Sequence, residues 1–367
     1  MIRRRSRRAF LRSTSTGVAA WILAPRLERA AFADPADPTA VLERRFVYEQ
    51  AEFPECHAST VVETEQGLLA SWFGGTAEGK DDVDIYTARF ADGAWSKPER
   101  VADGRSPGPG NGPRHPCWNP VLFQPRQGPL LLFYKVGPRP HNWWGMLKTS
   151  TDQGRTWSPP HRLPDGQLGP VRAKPIQLDD GTLLCGSSTE HAGWQVQMEF
   201  TRNPLGAWSR TPPLNRADEW GAIQPTLLPH ARDEIQILCR SRQGVILESR
   251  SSDAGKTWGP LTPTSLPNPS AGIDAIRLRD GRFALIYNHL PKGRDMLNLA
   301  VSEDGRKWSA ALVLEREPGE FSYPAIIQTR DGLLHMTYTW KRRRLRHVVA
   351  DPARLPIRPI VDGRWPD

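Results

Sequence analysis

The feature that most constrains the fold is a turn followed by an apolar strand, which recurs about every 50 residues. The turns lie at Gly67, Gly128, Gly181, Glu234, Gly281 and Gly332, so successive turns are separated by 61, 53, 53, 47 and 51 residues. Another β-rich run precedes each turn, and every unit is therefore predicted to begin with a two-stranded hairpin. Six repeats of this length favour a β-propeller, in which each repeat forms one blade.

A second pattern closes several of these units with a tight turn and a tryptophan. Ser150 to Trp157 and Ser251 to Trp258 match S-x-D-x-G-x-x-W in full, and Ser302 to Trp308 lacks one residue of it. Partial copies end at Trp95 and Trp208. Asp and Gly favour the turn, and the Trp is expected to pack it against the blade. This Asp-box pattern is structural, so it predicts the fold rather than the chemistry.

Together the two patterns predict an all-β, six-bladed β-propeller with Asp-box turns. The run Arg45 to Tyr48 is predicted to supply the strand that closes the last blade onto the first. The chain has 35 prolines and 31 glycines, which disfavours a helical bundle and agrees with a turn-rich β protein. A seven-bladed ring with one unrecognised blade remains the alternative.

Most of the positive charge lies in the N-terminal segment. Residues 1–33 contain eight Arg and one Glu, so +7 of the formal charge of +9 lies there and only +2 remains for the other 334 residues. So small and scattered a charge excludes a nucleic-acid-binding domain. No run of about 18 apolar residues occurs, and no membrane-spanning helix is predicted.

The same N-terminal segment resembles an export signal. The run Ser6 to Arg12 (SRRAFLR) is similar to the twin-arginine consensus, and Ala31 to Ala33 offers a small-x-small cleavage site. We therefore predict a signal peptide over residues 1–33 and a propeller domain over residues 34–367. The protein is expected to be periplasmic or secreted, with the twin-arginine translocon as its partner in export.

The cysteines indicate neither a metal site nor a disulfide framework. The four of them, Cys56, Cys117, Cys185 and Cys239, are widely spaced and form no CxxC pattern. We predict no metal and no other cofactor.

Propeller geometry sorts the polar residues by face. The start of each inner strand and the loop between the second and third strands lie on one face, and the Asp-box turns lie on the other. Five blades place cations on the first face, whereas the blade-one loop places carboxylates there, among them Asp81 and Asp82. A channel lined in this way attracts an anion, and its carboxylates could supply an acid. The candidate substrate-binding residues are Asn119, Lys135, Arg172, Lys174, Gln224, Arg240, Arg242, Arg294 and Arg346.

Four short motifs connect this pattern to a known family. Cys56 to Thr60 (CHAST), Trp72 to Thr76 (WFGGT), Cys117 to Pro120 (CWNP) and Phe321 to Pro324 (FSYP) resemble the bacterial BNR-repeat proteins labelled predicted neuraminidases. With the repeats and the Asp boxes, essentially the whole mature chain resembles the sialidase superfamily. The resemblance implies an exported glycoside hydrolase of the exo-α-sialidase type, acting on an anionic, carboxylated oligosaccharide or polysaccharide.

The resemblance also implies catalytic roles. Sialidases use a Tyr nucleophile, and Tyr323 stands where the family places it, at the start of the last inner strand. Cations near Tyr323 would favour its phenolate form. The family's acid is an Asp in the blade-one loop, which Asp81 or Asp82 matches.

The family's substrate-binding pattern is matched only in part. Three Arg normally bind the substrate carboxylate; Arg240 or Arg242 matches the second, and Arg294 matches the third. Glu55 to His57 occupies the place of the Arg-Ile-Pro motif that carries the first. Gln224 stands where a Glu normally deprotonates the nucleophile, and Gln cannot accept a proton as Glu does.

Two other classes of function remain open. Some propeller polysaccharide lyases use His and Tyr as base and acid, and an Arg to neutralise a uronate carboxylate. His57, His115, Tyr323 and Arg240 could fill these roles. The third possibility is a glycan-binding propeller without catalytic activity.

Overall fold

Six β-sheets make up almost all of the described chain. The computed structural model describes residues 40–105 and 113–366, so the predicted signal peptide lies outside the described residues. Within these two ranges the one helix is a 3₁₀ turn, Pro352–Arg354. No helix in the same ranges is long and apolar enough to cross a membrane. The first strand, Val41–Phe46 (β1), belongs to the last blade.

The first three blades follow one another, each with its inner strand first. Blade one contains Glu55–Thr64 (β2), Gly67–Gly75 (β3), Asp84–Ala91 (β4), Ala94–Trp95 (β5) and Glu99–Ala102 (β6). Blade two contains Cys117–Phe123 (β7), Leu130–Val136 (β8), Trp144–Ser150 (β9) and His161–Arg162 (β10). Blade three contains Ile176–Gln177 (β11), Leu183–Thr189 (β12), Gln195–Thr201 (β13) and Ser209–Arg210 (β14).

The last three blades repeat this order and complete the ring. Blade four contains Ala222–Pro229 (β15), Ile235–Ser241 (β16), Val245–Ser251 (β17) and Thr262–Pro267 (β18). Blade five contains Asp274–Arg277 (β19), Phe283–Tyr287 (β20), Met296–Ser302 (β21) and Trp308–Arg316 (β22). Blade six contains Phe321–Gln328 (β23), Leu334–Trp340 (β24) and Arg344–Ala350 (β25). A short strand, Arg358–Pro359 (β26), extends blade five.

The pairing of β1 with β25 closes the ring. The two strands are antiparallel, with Phe46 opposite Arg346, so a strand from the beginning of the domain completes the blade formed by its end. The predicted closing strand is thus confirmed, although it begins at Val41 rather than at Arg45. Because the described strands form six sheets, the six-bladed prediction is confirmed and the seven-bladed alternative is wrong.

The inner hairpins turn where the sequence predicts. In five blades the turn glycine has a φ between 87° and 97°, a conformation that residues with a Cβ rarely adopt. These glycines are Gly67, Gly128, Gly181, Gly281 and Gly332. Blade four makes its turn without a glycine; there the His230 N–H donates to the Glu234 carbonyl at 2.8 Å.

The Asp-box turns are held by a repeated set of hydrogen bonds. In blade two, Ser150 Oγ donates to Asp152 Oδ1 at 2.7 Å and accepts from the Gly154 N–H at 2.7 Å, while the Thr156 N–H donates to Asp152 Oδ1 at 2.8 Å. Blade four repeats these bonds at 2.8, 2.9 and 2.9 Å. Each turn carries a tryptophan that packs against a hydrophobic cluster of the blades, as predicted. These are Trp95, Trp157, Trp208, Trp258 and Trp308.

Four inner strands carry a β-bulge near their start, and each bulge redirects one side chain near the candidate site. One residue in each bulge has a φ between 36° and 59°: Ala58, Asn119, Gln224 and Tyr323. Residues with a Cβ seldom occupy this left-handed region, and a bulge redirects the side chain at its position. The four bulges therefore place one residue from each of four blades at equivalent points around the central channel.

The depth of the Asp-box tryptophans leads to a stability prediction. Trp308 is only 4% exposed, whereas Trp157 is half-buried. We expect Trp308→Ala to lower the free energy of unfolding by about 3–5 kcal/mol, since it leaves a cavity in the core of blade five. Trp157→Ala should cause a smaller loss. Denaturant titration of both variants tests this; equal losses would contradict the packing described here.

Candidate active site

Tyr323 lies at the centre of the candidate site. It occupies the bulge of the last inner strand with a φ of 51°, and it is 8% exposed. A bulky aromatic residue in this conformation is strained, and such strain is often found at functional sites. The ring lies against Gly272, where an added Cβ would come within 3.3 Å of it.

Two polar side chains of blade four reach the Tyr323 hydroxyl. Arg240 Nη1 donates to the phenol oxygen at 2.8 Å, and Gln224 Nε2 approaches the same oxygen at 3.4 Å. Arg240 Nη1 also lies 3.3 Å from Gln224 Oε1. The guanidinium can therefore stabilise negative charge on the phenol oxygen, and Gln224 holds it in place.

His57 packs directly against the phenol ring. The two ring centroids are 4.1 Å apart at an interplanar angle of 47°. His57 Nδ1 hydrogen-bonds with Thr339 Oγ1 at 3.1 Å, and the side chain is 1% exposed. Burial, followed by the charges of nearby arginines, holds the pKa of His57 well below its usual value. The imidazole is therefore neutral near pH 7, with one ring nitrogen able to accept a proton.

Arg172 of blade three completes the wall around the phenol. Its guanidinium lies 5.2 Å from the centroid of the Tyr323 ring, and one Nη donates to the Pro324 carbonyl. The Nε atoms of Arg172 and Arg240 are buried with no hydrogen-bond partner among the described residues. Two guanidinium groups with unused donors at one site favour an anionic ligand.

Glu320 holds two further arginines at this face of the ring. Arg294 Nη1 lies 3.0 Å from Glu320 Oε1, and Arg342 Nε lies 2.9 Å from Glu320 Oε2. Arg342 Nη1 also reaches Glu78 Oε2 of the blade-one loop at 2.5 Å. Both arginines lie near enough to contribute to the lowered pKa of His57. Blade one, blade five and blade six are thus joined by one ionic network.

Two other predicted residues lie near the centre, but their side chains already contact other residues of the protein. Lys174 Nζ is 2.6 Å from Asp274 Oδ2, and the same oxygen accepts a hydrogen bond from the Ile326 N–H at 2.9 Å. The guanidinium of Arg242 is exposed and lies 4.5 Å from the Trp194 ring centroid. The Arg240 guanidinium lies 5.0 Å from the centroid of the same ring, so Trp194 helps to orient both arginines.

Three predicted residues lie away from Tyr323, which corrects the sequence-based placement. Lys135 is fully buried on the second strand of blade two. Its ammonium group lies between blades two and three rather than in the channel, and it donates to the Pro170 carbonyl. Burial lowers its pKa to about 7. Arg346 lies on the third strand of blade six, where it stacks on Phe46 and pairs with Glu315 at 3.4 Å. His115 packs edge-on against the Trp144 ring instead.

Asp81 and Asp82 belong to the blade-one loop, whereas Asn119 is buried at a bulge beside the central channel. Both aspartates are exposed, and neither is in contact with Tyr323 among the described residues. Asp82 accepts hydrogen bonds from the Thr76 hydroxyl and from its N–H, which lower the pKa of its carboxyl. Asn119 is 4% exposed and occupies the blade-two bulge, the position that Tyr323 occupies in blade six.

Sequence reasoning missed Glu320, Arg342 and Trp194. Arg342 belongs to the basic run 341–344, in which consecutive charges favour a solvated turn, yet its side chain is only 29% exposed and pairs with two carboxylates. The available signal was Glu320, directly before the FSYP motif, since several cations around one channel require a nearby carboxylate. Trp194 gave no signal, because it belongs to neither repeated pattern.

The arrangement suits general acid–base or nucleophilic chemistry on an anion. It combines a phenol that accepts from a guanidinium, a neutral imidazole against its ring, and a set of cations for substrate binding. Within residues 40–105 and 113–366, no group of three His, Cys, Asp or Glu side chains is arranged to hold a metal ion.

Comparison with known proteins agrees with the fold and the repeats. The family model for the BNR repeat-like domain matches residues 66–336. A sialidase from Micromonospora viridifaciens is 24% identical over 78% of this chain. The chain spans half the length of this curated relative.

Solved structures share the same ring. A protein of unknown function from Dyadobacter fermentans superposes with a TM-score of 0.69 at 16% identity, over 87% of this chain and 99% of that one. The NanB sialidase from Streptococcus pneumoniae superposes with a TM-score of 0.68 at 12% identity, over 85% of this chain and 71% of that one. With the family match covering most of the chain, this protein belongs to the BNR repeat-like family of the sialidase superfamily.

Proposed function

We propose that the protein is a glycoside hydrolase that cleaves a carboxylated glycan in the central channel. The observation that carries this proposal is the 2.8 Å hydrogen bond from Arg240 to the Tyr323 hydroxyl, within a cluster of arginines. Membership of the sialidase superfamily and the likeness to solved sialidases support a glycosidase-type enzyme.

Substrate binding rests on the charge of the channel. Arg240 donates to the Tyr323 hydroxyl and Arg172 lies 5.2 Å from the centroid of its ring, while Glu320 pairs with Arg294 and Arg342. Glu320 neutralises part of this charge, and the remainder favours a ligand carboxylate. Because Arg presents paired N–H donors, it binds a carboxylate with defined orientation as well as charge attraction.

Tyr323 is the reacting group in this proposal. Its oxygen attacks the anomeric carbon, the leaving sugar departs, and water then releases the glycosyl group from the phenol. Arg240 stabilises the phenolate, while neutral His57 is the nearby base, because Gln224 cannot accept the proton. Asp81 and Asp82 of the blade-one loop are the candidate acids, and hydrogen bonds from Thr76 lower the pKa of Asp82.

A uronate-specific polysaccharide lyase is the second candidate, and the contact between His57 and Tyr323 favours it. A neutral, buried His can remove the proton next to the uronate carboxylate, while the phenol protonates the leaving oxygen. The two activities differ in product. A screen of the purified protein against sialosides and uronate polysaccharides would detect free sugar from the hydrolase and an ultraviolet-absorbing unsaturated uronate from the lyase. Binding without either product would indicate a non-catalytic glycan receptor.

Removal of the Tyr323 oxygen tests the proposed centre. Tyr323→Phe keeps the ring and its packing against His57, so we expect an unchanged melting temperature. Turnover should fall by at least about 100-fold, because the group that carries the reaction is lost. Activity assays beside circular dichroism measure both properties. Retained activity in the folded variant would exclude Tyr323 from either mechanism.

The corrected position of Arg346 provides a matched control for Arg240. We expect Arg240→Met to weaken the binding of a carboxylated sugar by about 10- to 100-fold, as expected for loss of a charged hydrogen bond. Arg346→Met removes the same charge from the third strand of blade six and should leave the affinity unchanged. Isothermal titration calorimetry measures the affinity of both variants for the sugar. Equal losses of affinity would show that the ligand does not bind next to Tyr323.

Export by the twin-arginine pathway is part of the same proposal and rests on the run Ser6 to Arg12. We expect replacement of Arg7 and Arg8 by Lys to leave a folded precursor in the cytoplasm, since the translocon reads the paired arginines. Cell fractionation followed by immunoblotting measures this. Recovery of the double variant from the periplasm at the wild-type level would exclude this route.

A further inference from the structure

A row of buried polar side chains joins blade six to blade one. Thr337 and Thr339 lie two residues apart on β24, so their side chains point to the same face of the sheet. Thr337 Oγ1 donates to Ser59 Oγ at 3.1 Å, and Thr339 Oγ1 lies 3.1 Å from His57 Nδ1. All four residues are at most 1% exposed. This row, which we call the polar seam, ends at the imidazole that packs against Tyr323.

Packing fixes the orientation of the His57 ring. The Tyr323 ring lies 4.1 Å away between centroids, and the Phe73 ring meets the imidazole edge-on at 5.7 Å. Thr339 lies against the Nδ1 edge. Because the core is closely packed, the imidazole cannot turn over without displacing these neighbours. The two ring nitrogens therefore have different and fixed surroundings.

The His57 imidazole carries a single proton near pH 7. Burial, followed by the charges of nearby arginines, holds its pKa well below the usual value. A neutral imidazole has one N–H donor and one nitrogen with a free lone pair. Which nitrogen carries the proton depends on the hydrogen bond that the other nitrogen makes. The tautomer of His57 is therefore set by its contact with Thr339.

Two arrangements of this hydrogen bond are compatible with its length. If the Thr339 hydroxyl donates to Nδ1, the imidazole proton lies on Nε2; if Nδ1–H donates to the hydroxyl, Nε2 keeps its lone pair. Among the described residues, the His57 side chain forms its one hydrogen bond through Nδ1, so an N–H at Nε2 would have no acceptor there. Buried donors are nearly always hydrogen-bonded, and nearby cations favour a lone pair over an N–H. The second arrangement is therefore favoured.

We propose that Thr339 is a positioning residue: it accepts the Nδ1–H of His57 and thereby holds the imidazole in the tautomer whose Nε2 can take up a proton. This inference rests on the proposed function, in which His57 is the base. It completes a series in which a reacting group lies beside a base and a third group orients that base. The series here is Tyr323, His57 and Thr339.

The third member of this series is a hydroxyl rather than a carboxylate. A hydroxyl carries no charge, so it orients the imidazole without stabilising the imidazolium form. This agrees with the lowered pKa of His57, to which no carboxylate contributes. The polar seam thus supplies a base that is oriented and uncharged before substrate binds.

Nitrogen NMR of protein with isotope-labelled histidines tests the tautomer directly. At neutral pH the wild-type spectrum should show His57 with a protonated Nδ1 and an unprotonated Nε2, and the signals that disappear in His57→Gln identify this residue. Thr339→Val keeps the shape of the side chain but presents a methyl group to Nδ1. Because an N–H at Nδ1 would then lack an acceptor, we expect the proton to move to Nε2 in this variant.

Thr337→Val is the matched control. It makes the same substitution on the same face of β24 and removes another buried hydrogen bond of the polar seam. Both variants should show a similar fall in melting temperature, whereas only Thr339→Val should change the tautomer of His57. Thr339→Ser keeps the hydroxyl and should keep the wild-type tautomer.

Three results would overturn the positioning role of Thr339. They are a wild-type His57 with its proton on Nε2, an unchanged tautomer in folded Thr339→Val, and the same change of tautomer in Thr337→Val. If Thr339→Val does not fold, the wild-type spectrum alone decides between the two arrangements.

Kinetic measurements separate this inference from the proposed function. On a sialoside or uronate polysaccharide that the protein cleaves, Thr339→Val should lower kcat by about 10-fold or more with little change in KM, since the base acts in the transition state and the arginines bind the carboxylate. An unchanged kcat in a variant with the altered tautomer would exclude Thr339 from the reaction. If the tautomer result is obtained while no glycan is cleaved, the positioning of His57 stands and the proposed hydrolase activity fails.

Discussion

Closure of the ring by β1 and β25 is the constraint on which the candidate site depends. Each blade contributes too little to form the site alone: His57 comes from blade one, Arg172 from blade three, Arg240 from blade four and Tyr323 from blade six. Only a closed ring brings these residues, far apart in sequence, to one channel. The antiparallel pairing of the first strand with the last blade therefore determines the geometry of the candidate site as well as stability.

The second constraint is electrostatic. Several arginines share a confined region with few carboxylates, and burial of such charge costs folding free energy unless partners are present. Glu320 and Asp274 supply part of the compensation. The Nε donors of Arg172 and Arg240 have no hydrogen-bond partner among the described residues. An anion that binds at the site can accept these hydrogen bonds. The bulge at Tyr323 holds the phenol beside the Arg240 guanidinium.

The sequence was sufficient for the fold because repeats and Asp boxes are local patterns with a direct structural cause. The positions of Tyr323, Gln224 and His57 followed from the starts of the inner strands, once the blades were numbered. Lys135 and Arg346 were misplaced because strand numbering gives the blade but not the side of the sheet to which a side chain points. The contacts of Glu320 and Trp194 depend on loops of different blades, which no local pattern encodes.

In the proposed mechanism the Tyr323 oxygen forms the bond to the sugar. A slow, mechanism-based glycosyl fluoride of the carboxylated sugar that the enzyme cleaves would trap the glycosyl-enzyme, and peptide mass spectrometry would locate the adduct. We expect a single adduct on the peptide that contains Tyr323, formed at the rate of inactivation. An adduct on another side chain, or inactivation without any adduct at Tyr323, would contradict it.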